Sequence, residues 1–501
     1  KEVGEELGAW WVSGRDGFLK LNKEGRWHFF SQQALIDEMR DLPGRMVAIK
    51  ARDGEKLSES KQVLVWLRNH RAVDAVMVAL PGYQSGVYDL IGGERVLVKT
   101  SPVKIEGRPG EWPVIRRIIE GMLGADAQVE GQEDQTAYFW SLCKCWHRAF
   151  ITGSPDGWKQ GHAVIFTGPA GCGKNLVQEL ILTPLVGGRF ADPLKFLMDE
   201  DQFNGDMMVE HWMLSEIPSS QRTEDRVQFA ERIKQIVANR TMRARLMRSE
   251  PSTIQPFVRL SASVNDDADT LRSLPVVTSG YGDKICIFHC RRNVLPIVGE
   301  WDLPPMAERE ADEHSNDDDD TFEREKELRR VVAEEMPHFI HWLLHEWKIP
   351  DELLTAREVN ENPRRFGFRS FHHPVIRAEL FEDTPAAQLL RLIDMAELRV
   401  THGQESFERV WQLGDKYNHQ PLPSKNRWWE RAETLQQLLT GETELVCSIS
   451  TMAKKLFAHN KVDRLLSKLA GDETTGNGNR VMKSRHTDTR YWKGWQIGPP
   501  Q

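Results

Sequence analysis

Between residues 154 and 300 the chain alternates short apolar runs with longer polar stretches. Ala163 to Thr167 is an unbroken apolar and β-branched run, the pattern of a strand covered on both faces. Val209 to Leu214, interrupted by His211, and Phe257 to Ser263 repeat it. Strands of this kind, spaced by helix-length segments, predict an α/β unit on a parallel sheet. The flanks read differently. Residues 1 to 110 carry short β-like runs (Ala75 to Leu80, Arg95 to Val98) around one helical run, Ser58 to His70, and predict a small α+β region. Over 111 to 153, Ile115, Ile118, Ile119 and Met122, then Phe139, Trp140, Leu142 and Trp146, recur at helical spacing and predict packing helices. An acidic stretch, 301 to 322, reads as a solvated linker before a helical region over 323 to 385. In residues 386 to 501, helices are expected near Leu435, Met452 to Phe457 and Val462 to Leu469. A glycine-rich turn follows, and then a basic, aromatic end from Arg480 to Lys493.

The run Ala163 to Thr167 leads directly into Gly168-Pro169-Ala170-Gly171-Cys172-Gly173-Lys174-Asn175, and a helical stretch starts at Leu176. Strand, glycine loop and helix in this order form a phosphate cradle. Backbone N–H groups of the loop wrap the phosphates, the helix N-terminus adds its dipole, and Lys174 reaches the β and γ phosphates. All eight loop residues are therefore expected to bind ATP. The position after the lysine normally carries a Ser or Thr hydroxyl for Mg²⁺, and here the Asn175 amide oxygen takes that place. Cys172 lies at the helix N-terminus, which lowers a thiol pKa and favours alkylation.

Two further strand ends carry polar groups. Val209 to Leu214 ends at Ser215-Glu216, and Phe257 to Ser263 ends at Val264-Asn265-Asp266. A carboxylate at a strand end beside a phosphate loop is where such enzymes hold metal and activate water. Ser215 occupies the usual Asp position, so Glu216 takes both duties, Mg²⁺ and water. The plain alternative for Glu216 is a strand-terminal surface residue. Asn265 supplies an amide that orients the attacking water or senses the γ-phosphate.

The compact succession of Lys174, Glu216 and Asn265 resembles the superfamily 3 helicases, the AAA+ motors of phage, plasmid and poxvirus-type primase-helicases. The resemblance covers about residues 154 to 295 and, more loosely, the flanks. It implies an AAA+ P-loop ATPase core over 154–300, a collar-like helical region over 111–153 and a winged-helix-like C-terminal domain over 386–501. It also implies a homo-hexameric ring that uses ATP and Mg²⁺ to translocate on single-stranded DNA and open forked duplex. The family's pore hairpin falls in the slot Arg226 to Val258, where a helix with Lys234 precedes Arg240, Arg243, Arg245 and Arg248. Period-2 alternation aims Arg243 and Arg245 at one face, suited to gripping a sugar-phosphate backbone without reading bases. A solvated strand face is the plain alternative. Where the family carries its arginine finger, the chain reads Gly282-Asp283-Lys284. Lys284 stands there as a point charge without a planar fork, and Arg272, Arg291 and Arg292 are the other candidates.

With 501 residues the chain has the length of about three domains. A net charge of −8 excludes a uniformly basic coat, so any nucleic-acid site must be local. Six scattered cysteines do not form a disulfide framework. Cys143-x-Cys145-Trp-His147 fits no paired zinc spacing. No apolar run approaches the ~18 residues of a membrane span. A cytoplasmic setting is therefore expected, that of a bacterial host if the chain is phage or plasmid encoded. The chain opens on Lys1 rather than Met, so a preceding segment is expected, by resemblance a primase domain. Two rivals to a helicase stay open: an AAA+ nucleotide-dependent assembly switch without unwinding, and a DNA-binding initiator whose P-loop is vestigial.

Overall fold

The computed structural model describes residues 1–40 except 14, 49–50, 56–125 except 58, 134–197 except 154–156, 207–215, 223–244, 252–271, 274, 282–292, 317–355 and 363–382, with five short strands beyond. The chain divides into two compact units, Lys1–Ile376 and Arg377–Gln501. In the first unit the first hundred residues hold two small sheets and a two-stranded ribbon, Ile49–Lys50 with Lys56–Leu57. Strands Trp27–Ser31, Gly17–Leu21, Trp10–Val12 and Ala72–Val73 lie side by side in that order, and Ala75–Met77, Arg95–Val98 and Gly86–Asp89 form the second sheet. Helix Glu59–His70 turns Leu64 and Leu67 onto Phe18 and Leu35, all of them buried.

The helical spacing beyond residue 111 becomes α1 (Pro113–Leu123) and α2 (Thr136–Ile151). Pro113 opens α1, where a missing N–H costs nothing. Trp112 supplies no side-chain cap. Instead the buried Glu335 carboxylate accepts from the backbone N–H groups of Val114 (3.1 Å) and Ile115 (2.9 Å), placing negative charge on the positive helix end.

The apolar runs of the centre assemble a five-stranded parallel sheet. Its strands are β1 (Ala163–Thr167), β2 (Phe190–Ala191), β3 (His211–Leu214), β6 (Arg259–Val264) and β7 (Ile285–His289), in the spatial order β2-β3-β6-β1-β7. Every residue of β1, β3 and β6 is buried, as a sheet covered on both faces requires. Because the strands run parallel, their C-terminal ends share one edge. Gly168, Ser215, Asn265 and Cys290 follow β1, β3, β6 and β7 there. Helix α3 leaves the loop after β1 as Lys174–Val177, passes through a π turn over Gln178–Leu182 and ends in Thr183–Leu185.

Between β3 and β6 lie helix α4 (Thr223–Ala238) and an antiparallel ribbon, β4 (Met242–Ala244) with β5 (Ser252–Ile254), which pairs Arg243 with Thr253. Ala244 is buried and Arg243 exposed. Helix α5 (Asp317–His341) begins inside the acidic run rather than at residue 323. Arg329 of α5 grips the Glu179 carboxylate of α3 with two nitrogens, at 2.6 and 3.2 Å. Glu210, fully buried, accepts from Gly82 N–H at 2.7 Å and from Arg189 Nε at 2.8 Å, and so ties the first hundred residues to the sheet. The cationic and aromatic run Arg364 to His373 packs inward. Phe366 and Phe368 are buried, and the Phe366 ring stacks on His162 at 4.5 Å.

The second unit is described by an antiparallel three-stranded sheet (Glu405–Arg409, Val400–His402, Glu444–Leu445) and by a ribbon of Arg480–Lys483 with Trp495–Gly498. The helices expected near Leu435, Met452 to Phe457 and Val462 to Leu469 lie outside the described residues. Among the described residues no helix is long and apolar enough to cross a membrane.

Candidate functional site

The glycine loop turns at the C-terminal edge of the sheet. At Gly168 a Cβ would lie 2.3 Å from the Cys290 carbonyl oxygen, so only glycine lets the loop leave β1 against the end of β7. Gly173, which caps α3, has φ +92°, a conformation glycine adopts without strain. Lys174 is buried, and its ammonium donates to the carbonyls of Gly168 (2.6 Å) and Pro169 (2.8 Å) and to Asn265 Oδ1 (3.3 Å). The same ammonium lies 3.7 Å from Cys172 Sγ. Among the described residues no carboxylate pairs with it, which leaves its charge available to an anion in the loop.

The strand order explains why Lys174 meets Asn265. β6 lies directly beside β1, with Thr167 opposite Val264, so the next residues of both strands leave the sheet as neighbours. Asn175 is exposed, and its Oδ1 accepts from Gln178 Nε2 at 3.3 Å. Gln178 sits on the π turn, is fully buried, and donates to Ser263 Oγ at 2.6 Å while accepting from Ser261 Oγ. It thus pins α3 to β6 under the loop. The sequence reading did not single out Gln178, since a lone Gln in an amphipathic stretch carries no signal until β6 is placed beside it.

Cys172 faces Cys290, at the end of β7. Hydrogen bonding from the Cys290 thiol holds the Cys172 thiol below the ordinary cysteine range, with the Lys174 charge adding to the effect. Burial, and then the donation to Cys172, push Cys290 well above that range. At the same edge Gln135 clamps β7 by donating to the His289 carbonyl (2.8 Å) and accepting from its N–H (2.9 Å). His289 Nε2 lies 3.4 Å from Asp266 Oδ2.

The remaining expected site residues are spread more widely. Glu216, Arg245, Arg248 and Arg272 lie outside the described residues. Lys284 lies at the start of β7, on the edge of the sheet opposite the loop, and is buried in an ion pair with Asp283. Arg291 turns its guanidinium to the last carbonyls of α1, with Nε 2.5 Å from Gly121 O, while Arg292 is exposed. Lys234 on α4 pairs with Glu231 at 3.3 Å. Arg240 and Arg243 are exposed at the base of the β4–β5 ribbon. His147 binds the Leu185 carbonyl through Nδ1 at 2.7 Å.

A parallel α/β sheet with a glycine loop and a buried lysine at its C-terminal edge defines the class of arrangement. Residues 166–275 match the model of a family of unknown function, DUF5906. No curated protein matches the chain. Among solved structures, the apo NrS-1 C-terminal region (305–718) is 11% identical with a TM-score of 0.46, covering 78% of this chain and 76% of that one. The A form apo structure of the NrS-1 C-terminal region is 12% identical with a TM-score of 0.45, covering 79% and 77%. A structure described as SCCmec type IV Cch, active helicase, is 10% identical with a TM-score of 0.35, covering 96% and 90%. All three scores lie below 0.5, and these are distant likenesses.

Proposed function

We propose that the chain is an ATP-driven motor of the superfamily 3 helicase type, acting as a ring on single-stranded DNA. The observation that carries this reading is Lys174, a buried ammonium at a glycine loop with no carboxylate partner among the described residues, 3.3 Å from the strand-terminal Asn265. A nucleotide triphosphate offers the missing counter-charge, and an amide beside the γ-phosphate end can position water. In this reading the amides of Gly168 to Asn175 and Lys174 bind the phosphates, Glu216 activates water, and Asn265 orients it. Asn175 and Glu216 would hold Mg²⁺, which neutralises phosphate charge when bound. Arg272 of a neighbouring subunit supplies the finger, since Lys284 is buried in its ion pair with Asp283. Arg240, Arg243, Arg245, Arg248 and Lys234 contact the DNA backbone.

One observation favours a second reading, a nucleotide-dependent assembly switch. Asn175 replaces the usual hydroxyl, and its Oδ1 is already engaged by Gln178 at 3.3 Å. ATP turnover by the wild-type chain, Lys174→Ala and Asn265→Ala separates the two. The motor reading expects steady hydrolysis by the wild type and a loss of about a hundredfold or more in each variant. A wild type that binds ATP tightly without turning it over selects the switch.

A further inference from the structure

On the edge of the sheet opposite the glycine loop, a cavity of about 490 Å³ opens between the residues leading into β1 and β6, the end of α4 and the start of β4. Its volume is in the range of ligand sites. Five cations line it, Lys159, Arg232, Arg240, Arg243 and Arg259, and among the described residues no Asp or Glu does. In a chain of net charge −8 that segregation is a local reversal of sign. Three aromatic rings, Trp158, Phe196 and Phe257, share the lining.

Arg259 gives the cavity its specific character. It is 5% exposed, and among the described residues its guanidinium donates only to the carbonyls of Val258 (2.9 Å) and Lys159 (2.7 Å). Among the described residues its Nε has no hydrogen-bond partner, and neither has Nε1 of Trp158. The guanidinium lies 4.1 Å from the Phe257 ring centroid, and burial pulls its pKa down to about 9. A buried cation paired only with neutral acceptors is costly, and an acceptor-only anion relieves that cost. Cations and unfilled donors select phosphate, while the half-buried rings of Trp158 and Phe196 suit contact with a planar base.

We infer that this cavity is a second nucleotide-unit site, taking one phosphate with its base, separate from the glycine loop. Its occupant is either one residue of a single strand lying along the β4–β5 ribbon or a free mononucleotide. The inference does not depend on hydrolysis at the loop, and it is testable where the loop is silent.

The test uses the full chain carrying Lys174→Ala, with binding of fluorescent oligothymidylate and of fluorescent dTMP followed by anisotropy across a salt series. Arg240→Ala with Arg243→Ala, both exposed, should weaken binding by about tenfold or more. For the strand, the dependence on log salt should fall by roughly 0.7 per lost phosphate contact. Arg259→Lys and Trp158→Phe, which keep charge or ring but remove the particular donors, should each weaken binding several-fold with an unchanged unfolding midpoint. A 5-iodouracil strand should crosslink to the peptide holding Trp158. Binding of the strand alone identifies a strand residue as the occupant, and binding of dTMP alone identifies a free nucleotide. Wild-type affinity and slope in Arg240→Ala/Arg243→Ala, or crosslinks confined to other segments, would overturn the inference.

Discussion

At the scale of single residues, the account turns on how little space the glycine loop leaves. A methyl group at Gly168 meets the Cys290 carbonyl at 2.3 Å, and that neighbour is backbone. Gly168→Ala should therefore destabilise the first unit by about 1–3 kcal/mol and weaken ATP binding. Urea denaturation and nucleotide titration read both effects, and an unchanged midpoint would show that the loop can shift at no cost. Cys172 gives a second, chemical test. Hydrogen bonding from Cys290, with the Lys174 charge beside it, leaves its thiol titrating at about 7, below the ordinary cysteine value, and the thiolate is the nucleophile. Iodoacetamide should modify it at a rate that rises with pH to a midpoint near 7 and falls when ATP fills the loop. Modification that climbs only toward pH 9, or that ATP leaves unaltered, contradicts the arrangement of Cys290, Cys172 and Lys174. The loop was legible in the sequence because its glycines, lysine and helix start are contiguous. Cys290 and Gln178 were not, because each matters only through a partner brought close by the sheet.

At the scale of elements, two histidines make the parallel sheet sensitive to acid. His211 of β3 sits between Thr183 Oγ1 (2.7 Å) and Ser261 Oγ (2.8 Å), and His162 stands just before β1 against Phe366. Burial lowers both from 6.5 to about 3. In the unfolded chain both titrate near their ordinary value, so between about pH 6.5 and 3 the unfolded state binds more protons. Stability is then full above 6.5 and falls as pH drops through that window, with a slope of up to about 2.7 kcal/mol per pH unit for the pair. His211→Gln should remove about half of the slope, as measured by urea midpoints between pH 7 and 5. A slope untouched by that change would place the acid sensitivity elsewhere. The strand Ala163–Thr167 was readable residue for residue, since both its faces are apolar. The run over 257–263 was expected two residues too early, because Phe257 is buried under Pro81 and Trp158 before the ladder begins at Arg259. The two-residue β2 and the π turn of α3 leave no periodic pattern to read.

At the scale of the whole molecule, the division after Ile376 predicts that a fragment ending at Glu382 keeps its cooperative unfolding and its ATP affinity. Loss of ATP binding on that truncation would mean that the second unit completes the site. The parallel α/β sheet was foreseeable from alternating apolar runs, whereas the cationic cavity on its opposite edge was not. Lys159, Arg232, Arg243 and Arg259 come from separate segments, and only the sheet brings them together. The central claim is that Lys174 and Asn265 belong to a motor that moves on single strands. Steady-state ATP hydrolysis, titrated with single-stranded DNA in wild type and in Lys174→Ala, tests it most directly. The account predicts that DNA raises wild-type turnover several-fold to saturation and that Lys174→Ala stays at background throughout. Turnover indifferent to DNA, or DNA-stimulated turnover that survives Lys174→Ala, would contradict it.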